Sequence, residues 1–259
     1  MRGKKRKTGY LLAVLAVLLC VYGVQQLMAP EYGHPGSDVW PGGIPSAGSA
    51  SGTAAAGEAP QGIPDYAGQD ILILNGNIPY FTETELKELE GEHYSDPDPL
   101  GRCGTAYARL DRKMMPQGTR GSMGNIRPSG FRNAKYPELI PDLYLYNRCH
   151  LIAWCLTGRE GSSATLFTGT RHLNKDLMLP YETEIASYLD GSVRHVLYRV
   201  TPYFKGNELV CRGVELEALS VEDRGRDLCF HVFLYNVQPG VRIDYRTGES
   251  QAERQQAGL

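Results

Sequence analysis

The stretch "LYNRCHLIAWCLTG" (Leu145–Gly158) sets Asn147, Arg148, Cys149 and His150 directly before an apolar run. An imidazole takes up and returns a proton near neutral pH, and a guanidinium beside it favours an anion. A thiol next to a histidine is also a candidate nucleophile. Neighbours along a strand point to opposite faces, however, so Cys149 and His150 are badly placed to act together. Downstream, "LFTGTRHLNKDLMLPYETEI" adds Arg171, Asn174 and Glu182. An asparagine amide oxygen is a neutral ligand for a hard divalent cation such as Mg²⁺ and leaves the cation's charge available to a phosphate. Glu182 falls in the first turn of a predicted helix, where the dipole favours a carboxylate, and from there it can accept hydrogen bonds from the cation's waters. Cation, base and arginine together would stabilise charge on a phosphodiester undergoing displacement. Each residue also has a plain structural use, as a packed imidazole, a turn former or a helix-dipole complement. Only the combination points to chemistry.

The charge pattern is compatible with a polyanion. The 259 residues carry 27 Lys and Arg against 29 Asp and Glu, so no global basic field exists. Between residues 101 and 150 the balance is local: nine bases, Arg120 and Arg127 among them, face Asp111, Glu138 and Asp142. That surplus is either a phosphate-facing surface or a solvated loop face paired with the acids of residues 83–98.

The elements that must position these residues are mixed. "DILILNG" is a short strand and "TETELKELEG" a capped helix. "YLYNRCHLIAW" is a strand that enters the histidine motif. "PYETEIASYLDG" is a helix with Pro180 at its first position and Gly191 past its end. "HVLYRVTPYF", "ELVCRGVELEALSV" and "LCFHVFLYNVQ" alternate β-branched and aromatic residues as strands do. The expected class is α+β with a central antiparallel sheet.

The N-terminal residues are of another kind. Arg2, Lys4, Lys5, Arg6 and Lys7 precede the apolar run "YLLAVLAVLLCVYGV", and residues 1–29 therefore look like a basic cytoplasmic end with an export signal or membrane anchor. No good cleavage site follows, which favours an uncleaved anchor over a removed signal. Residues 30–65 are rich in Gly, Pro, Ala and Ser and bury too little to order themselves, as a tether would. A single globular domain is expected over 66–250, with 251–259 as a tail. The chain would then sit at the bacterial cell surface through its N-terminal segment, or be secreted if that segment is cut. Beyond the apolar run stand Cys103, Cys149, Cys155, Cys211 and Cys229, allowing at most two disulfides and one free thiol. No C-x-x-C pair occurs, so a zinc site of the usual spacing is not expected.

Taken in order, Asn147-Arg148-Cys149-His150, Thr168-Gly169-Thr170-Arg171, Asn174 and Met178-Leu179-Pro180-Tyr181-Glu182 resemble the DNA/RNA non-specific endonucleases of the ββα-metal, or His-Me finger, type. Within them the chain is most similar to the membrane-anchored nucleases through which bacteria take in DNA. The likeness continues through "ILNGNIPYF", "RGSMGNIRPSGF", "VLYRVTPYFKGNELV" and "NVQPGVRIDYRTGES", and so covers Asp70 to Ser250. It implies that His150 is the general base and Asn174 the direct ligand of one Mg²⁺ or Mn²⁺ ion. Glu182 would position the metal's water, with Arg148 on the phosphate or bracing the site and 5′-phosphates as products. Arg171, Arg120 and Arg127 are the candidates for substrate binding, Asn147 and Thr165 for support. The substrate implied is DNA, with RNA as a second class, and no protein partner can be inferred.

This sequence departs from the family pattern at Asn147 and Cys149, where Asp and Gly are common, and at Thr165, where an asparagine is usual. Thr165 keeps a second function class in play, a nucleic-acid receptor at the cell surface that has lost cleavage. A third, a hydrolase using Cys149, is the weakest.

Overall fold

The three alternating runs become the centre of the molecule, because residues of period two can bury one face of a strand and leave the other for a second layer. The computed structural model describes residues 63–191 and 193–253. In chain order the strands are β1 (Ile71–Ile73), β2 (Glu92–Tyr94), β3 (Ala106–Leu110), β4 (Tyr146–His150), β5 (Leu166–Thr170), β6 (Val196–Tyr203), β7 (Gly213–Ser220), β8 (Cys229–Tyr235), β9 (Val241–Ile243) and β10 (Ser250–Ala252). The α-helices are α1 (Glu83–Glu88), α2 (Trp154–Thr157) and α3 (Leu179–Leu189). Six strands form one sheet in the order β1-β8-β7-β6-β3-β2, every neighbouring pair antiparallel. The hairpins β4-β5 and β9-β10 stand apart from it. This is the α+β class expected.

Register decides the two faces. Val196, Tyr198 and Val200 of β6 lie opposite Leu110, Ala108 and Ala106 of β3. On the other flank they meet Ser220, Ala218 and Leu216 of β7. That apolar face packs with Leu173, Leu177, Ile185 and Leu189 from the helical segment after β5, and with Phe167 and Cys149 from the hairpin. The intervening residues build the second face. Leu197 and Leu219 meet Phe81 and Leu86 from the α1 segment. Arg199, Glu217 and His231 lie in one row across the sheet. Arg199 donates to Glu217 at 2.6 Å, to Glu85 at 2.9 Å and to the Tyr80 carbonyl at 3.0 Å. The Tyr80 amide donates back to Glu217, and the His231 ring meets the Ile78 carbonyl and Glu215. Glu215, Glu217 and His231 come within 4.8 Å of one another, but each already has a protein partner, so the cluster fastens residues 78–85 to the sheet.

Asn236 joins the β4-β5 hairpin to this scaffold. Its side chain is fully buried, accepts from the Thr170 amide at 2.8 Å, and donates to the Thr168 and Cys211 carbonyls at 3.0 and 2.9 Å. A planar amide that offers acceptor and donors together does here what another strand would do for β5.

Local expectations fare unevenly. The α1 cap is as read: Thr82 Oγ1 accepts from the Glu85 amide and the Glu85 carboxylate accepts from the Thr82 amide. The expected start at Pro180 is not the helix's beginning. Helical backbone begins at Arg171, runs through a π-helical turn at Leu173–Met178, and continues without a break into α3. Thr170 Oγ1 accepts from the Leu173 amide at 2.9 Å and is the working cap. Pro180 has no N–H to donate, and the wider π turn lies directly before it. Glu182 is therefore not at a free helix N-terminus. Ordered packing also extends past the expected domain limits, since Pro64 accepts from Tyr235 and β10 reaches Ala252. All five described cysteines are free thiols, with Cys103, Cys149 and Cys211 buried. The anchor expected at 1–29 and most of the tether lie outside the described residues. Among the described residues no helix is long and apolar enough to cross a membrane.

Candidate active site

β4 and β5 pair with Asn147 opposite Gly169 and His150 opposite Leu166, and the helical segment from Arg171 follows at once. Gly169 is required by close approach: a Cβ there would lie 2.4 Å from Cys149 Sγ. Cys149 is completely buried, and burial pushes its thiol well above the usual range, so it has no role as a nucleophile. Strand alternation turns Cys149 into the core and leaves His150 on a cleft of about 740 Å³.

That cleft gathers His150, Asn147, Arg148, Arg120, Asn174 and Glu182. In an α-helix, positions eight apart overshoot two turns by about 80°. A π turn takes up roughly one additional residue, which swings Asn174 and Glu182 back towards one side. Neither side chain hydrogen-bonds any other among the described residues. For Glu182 this is costly, because only 7% of the residue is exposed. Burial raises its carboxyl to about 8, against the pull of Arg120 and Lys175. An unpaired buried carboxylate and an unpaired amide oxygen in one cleft form a hard-oxygen donor set that fits a hydrated divalent cation.

His150 is set up as a base. Arg120 reaches its Nδ1 at 2.7 Å. A guanidinium only donates, so Nδ1 must be the accepting nitrogen and the ring neutral. Burial first, and Arg120 second, lower the imidazole from 6.5 to about 4, while the Arg159 backbone works the other way. At neutral pH the ring is thus an uncharged base whose Nδ1 lone pair is held by Arg120, while Nε2 is buried without a partner. Trp154 Nε1–H and the Tyr146 hydroxyl also line the cleft, each buried and unpaired.

Other expected residues have different work. Arg148 donates to the Ile126 and Gly124 carbonyls and lies 4.5 Å from the Phe131 ring, so it braces the loop over the cleft and is not spent on substrate. Arg171 is held by Asp142 at 3.1 Å and by both oxygens of Asp176. Arg171 itself does not line the cleft, and its charge is neutralised by these carboxylates, contrary to the substrate role expected. Arg127 is exposed and does not line the cleft. Thr165 takes the Ser162 amide at 2.8 Å and is 4% exposed, closing the turn before β5. Its hydroxyl lies outside the cleft lining, so this departure from the family pattern falls on a turn. Sequence reasoning missed Lys175, Tyr144 and Trp154. Only Lys175, adjacent to Asn174, carried a readable signal.

A two-stranded hairpin and helix that set a neutral imidazole against amide and carboxylate oxygens, beside a guanidinium, define a nuclease of the ββα-metal type. The chain belongs to the DNA/RNA non-specific endonuclease family, whose model matches residues 82–222. Among solved structures it is similar to the nuclease NucA from Streptococcus agalactiae with a magnesium ion bound. The match has 25% identity and a TM-score of 0.65, covering 75% of this chain and 94% of that one. The same nuclease with no metal bound matches at 26% identity and a TM-score of 0.61, over 71% and 87% of the two chains. The Sda1 nuclease with a bound zinc ion matches at 25% and 0.55, over 64% and 83%.

Proposed function

We propose that this protein is an extracytoplasmic endonuclease that hydrolyses phosphodiester bonds of DNA, and of RNA, with little sequence preference and one Mg²⁺ ion, which Mn²⁺ can replace. The basic end and apolar run of residues 1–29 support a location at the bacterial cell surface. The observation that carries the activity is the neutral His150 facing the cleft shared by the unpaired oxygens of Asn174 and Glu182.

Asn174 would hold the cation directly, and Glu182 would accept from its water shell. When bound, the cation supplies positive charge to the phosphate oxygens. Arg120 leaves His150 Nδ1 for a non-bridging phosphate oxygen, and a water takes its place on the imidazole. His150 accepts that water's proton as its oxygen bonds to phosphorus and the bond to the 3′ oxygen breaks. The departing 3′ oxygen takes a proton from solvent and His150 returns its own to solvent, so that one water is consumed and a 5′-phosphate and a 3′-hydroxyl are formed. Lys175, exposed at the same cleft, adds a second cation for the strand. Little sequence preference follows from contacts made to phosphate rather than to base edges.

The test is nicking of supercoiled plasmid by the purified protein with Mg²⁺, with Mn²⁺, with Zn²⁺ and with EDTA. His150→Ala should abolish cleavage while DNA binding survives. Cleavage by that variant at the wild-type rate, or undiminished cleavage in EDTA, would overturn the mechanism.

A further inference from the structure

The cleft has an apolar side that cleavage chemistry does not use. Tyr144 lines it, yet the residue is 45% exposed, and its hydroxyl hydrogen-bonds nothing among the described residues. Its position is built. Leu143 before it sits at φ 68, a left-handed conformation that a branched side chain adopts at a cost. That conformation is held by Leu143 N–H to the Ile140 carbonyl at 2.9 Å and Tyr136 N–H to the Leu143 carbonyl at 2.8 Å. Lys135 pairs with Tyr144 in an isolated bridge and places Nζ 5.2 Å from the ring centroid. Leu179, 42% exposed, lines the same cleft.

A protruding ring that carries a cation over one face, at a phosphate-cutting site, matches what nucleobases stack on. A base inside a duplex has both faces covered by its neighbours; an unpaired base has a face to offer. We infer that Tyr144 is a stacking platform for an unpaired nucleobase next to the scissile phosphate, with Lys135 beside the same nucleotide's backbone. The platform makes the enzyme favour single-stranded or locally opened substrate. This rests on the nuclease reading above and adds a specificity residue to it.

The experiment compares wild type, Tyr144→Ala and Tyr144→Phe on a labelled single strand and on a hairpin duplex of the same sequence. A third arm measures quenching of a single-stranded oligonucleotide carrying 2-aminopurine, in EDTA. Tyr144→Ala should lower kcat/KM on the single strand by on the order of 5- to 150-fold. It should leave the duplex within about twofold and abolish the quenching, whereas Tyr144→Phe behaves as wild type. An equal loss on both substrates, no loss on either, or unchanged quenching in Tyr144→Ala overturns the platform. If the wild type cuts neither substrate with any divalent cation, the nuclease reading fails instead, and quenching that depends on Tyr144 still supports the platform.

Discussion

Glu182→Gln separates what the site needs from what the fold would prefer. The carboxyl is 7% exposed, unpaired, and raised by burial from 4.5 to about 8. A folded-state value above the unfolded one means that the ionised form destabilises the fold. The penalty is absent below about pH 4.5, grows as pH climbs, and is complete above about pH 8. At about 1.4 kcal/mol per pH unit it reaches about 3 kcal/mol at pH 7 and at most about 5 kcal/mol at its plateau. Glutamine keeps the shape without the charge. In EDTA the variant should therefore melt above wild type by roughly 6–12 °C at pH 7, and level with it near pH 4.5. The assay is thermal denaturation across pH 4.5–8.5, repeated with Mg²⁺, which should raise the wild type more than the variant. A melting difference that does not change with pH would refute the claim that burial at this position resists ionisation of the carboxyl.

Three further outcomes follow from contacts already described. Arg120→Ala removes the lesser of the two causes that depress His150, so the acid limb of the kcat/KM–pH profile should move upward by on the order of one pH unit at most; an unmoved limb would show that Arg120 does not face the base. Gly169→Ala should cost about 1–3 kcal/mol in a denaturant melt, because its Cβ meets Cys149 Sγ and, less closely, the Phe167 ring, and Cys149→Ala in the same chain should recover part of that loss. His231, raised above 6.5 between Glu215 and Glu217 with Arg199 in the same row, contributes stability that is full below about pH 6.5 and fades as pH rises through its folded-state value; the stability gap between wild type and His231→Gln should accordingly shrink on going from pH 6 to pH 9.

The parts of the structure legible in the sequence are those governed by local rules. The Thr82–Glu85 cap, the alternation of β6 to β8 and the strand that turns His150 away from Cys149 depend on neighbours a few residues apart. Asn174 and Glu182 were readable as oxygen donors, but their common orientation was not, because a π turn leaves no simple periodicity. Pro180 argued for a helix start, and the earlier Thr170 cap was hidden behind a strand ending on the same residue. The guanidiniums were the least legible. Arg148 and Arg171 are the same side chain as Arg120, and only tertiary contacts decide which faces carbonyls, which faces carboxylates and which meets the imidazole. β2, with three residues, was too short to show a pattern.

The hairpin that carries His150 shares no ladder with the six-stranded sheet and is coupled to it at backbone level through the Asn236 amide. An aspartate there, nearly identical in outline, would accept but not donate, leaving two carbonyls without partners and a charge in a dry place. The scaffold's own strand pairing would survive that change. The expected outcome for Asn236→Asp is a far-ultraviolet spectrum close to wild type with plasmid nicking lost, and a collapse of that spectrum would show that the junction also holds the sheet together.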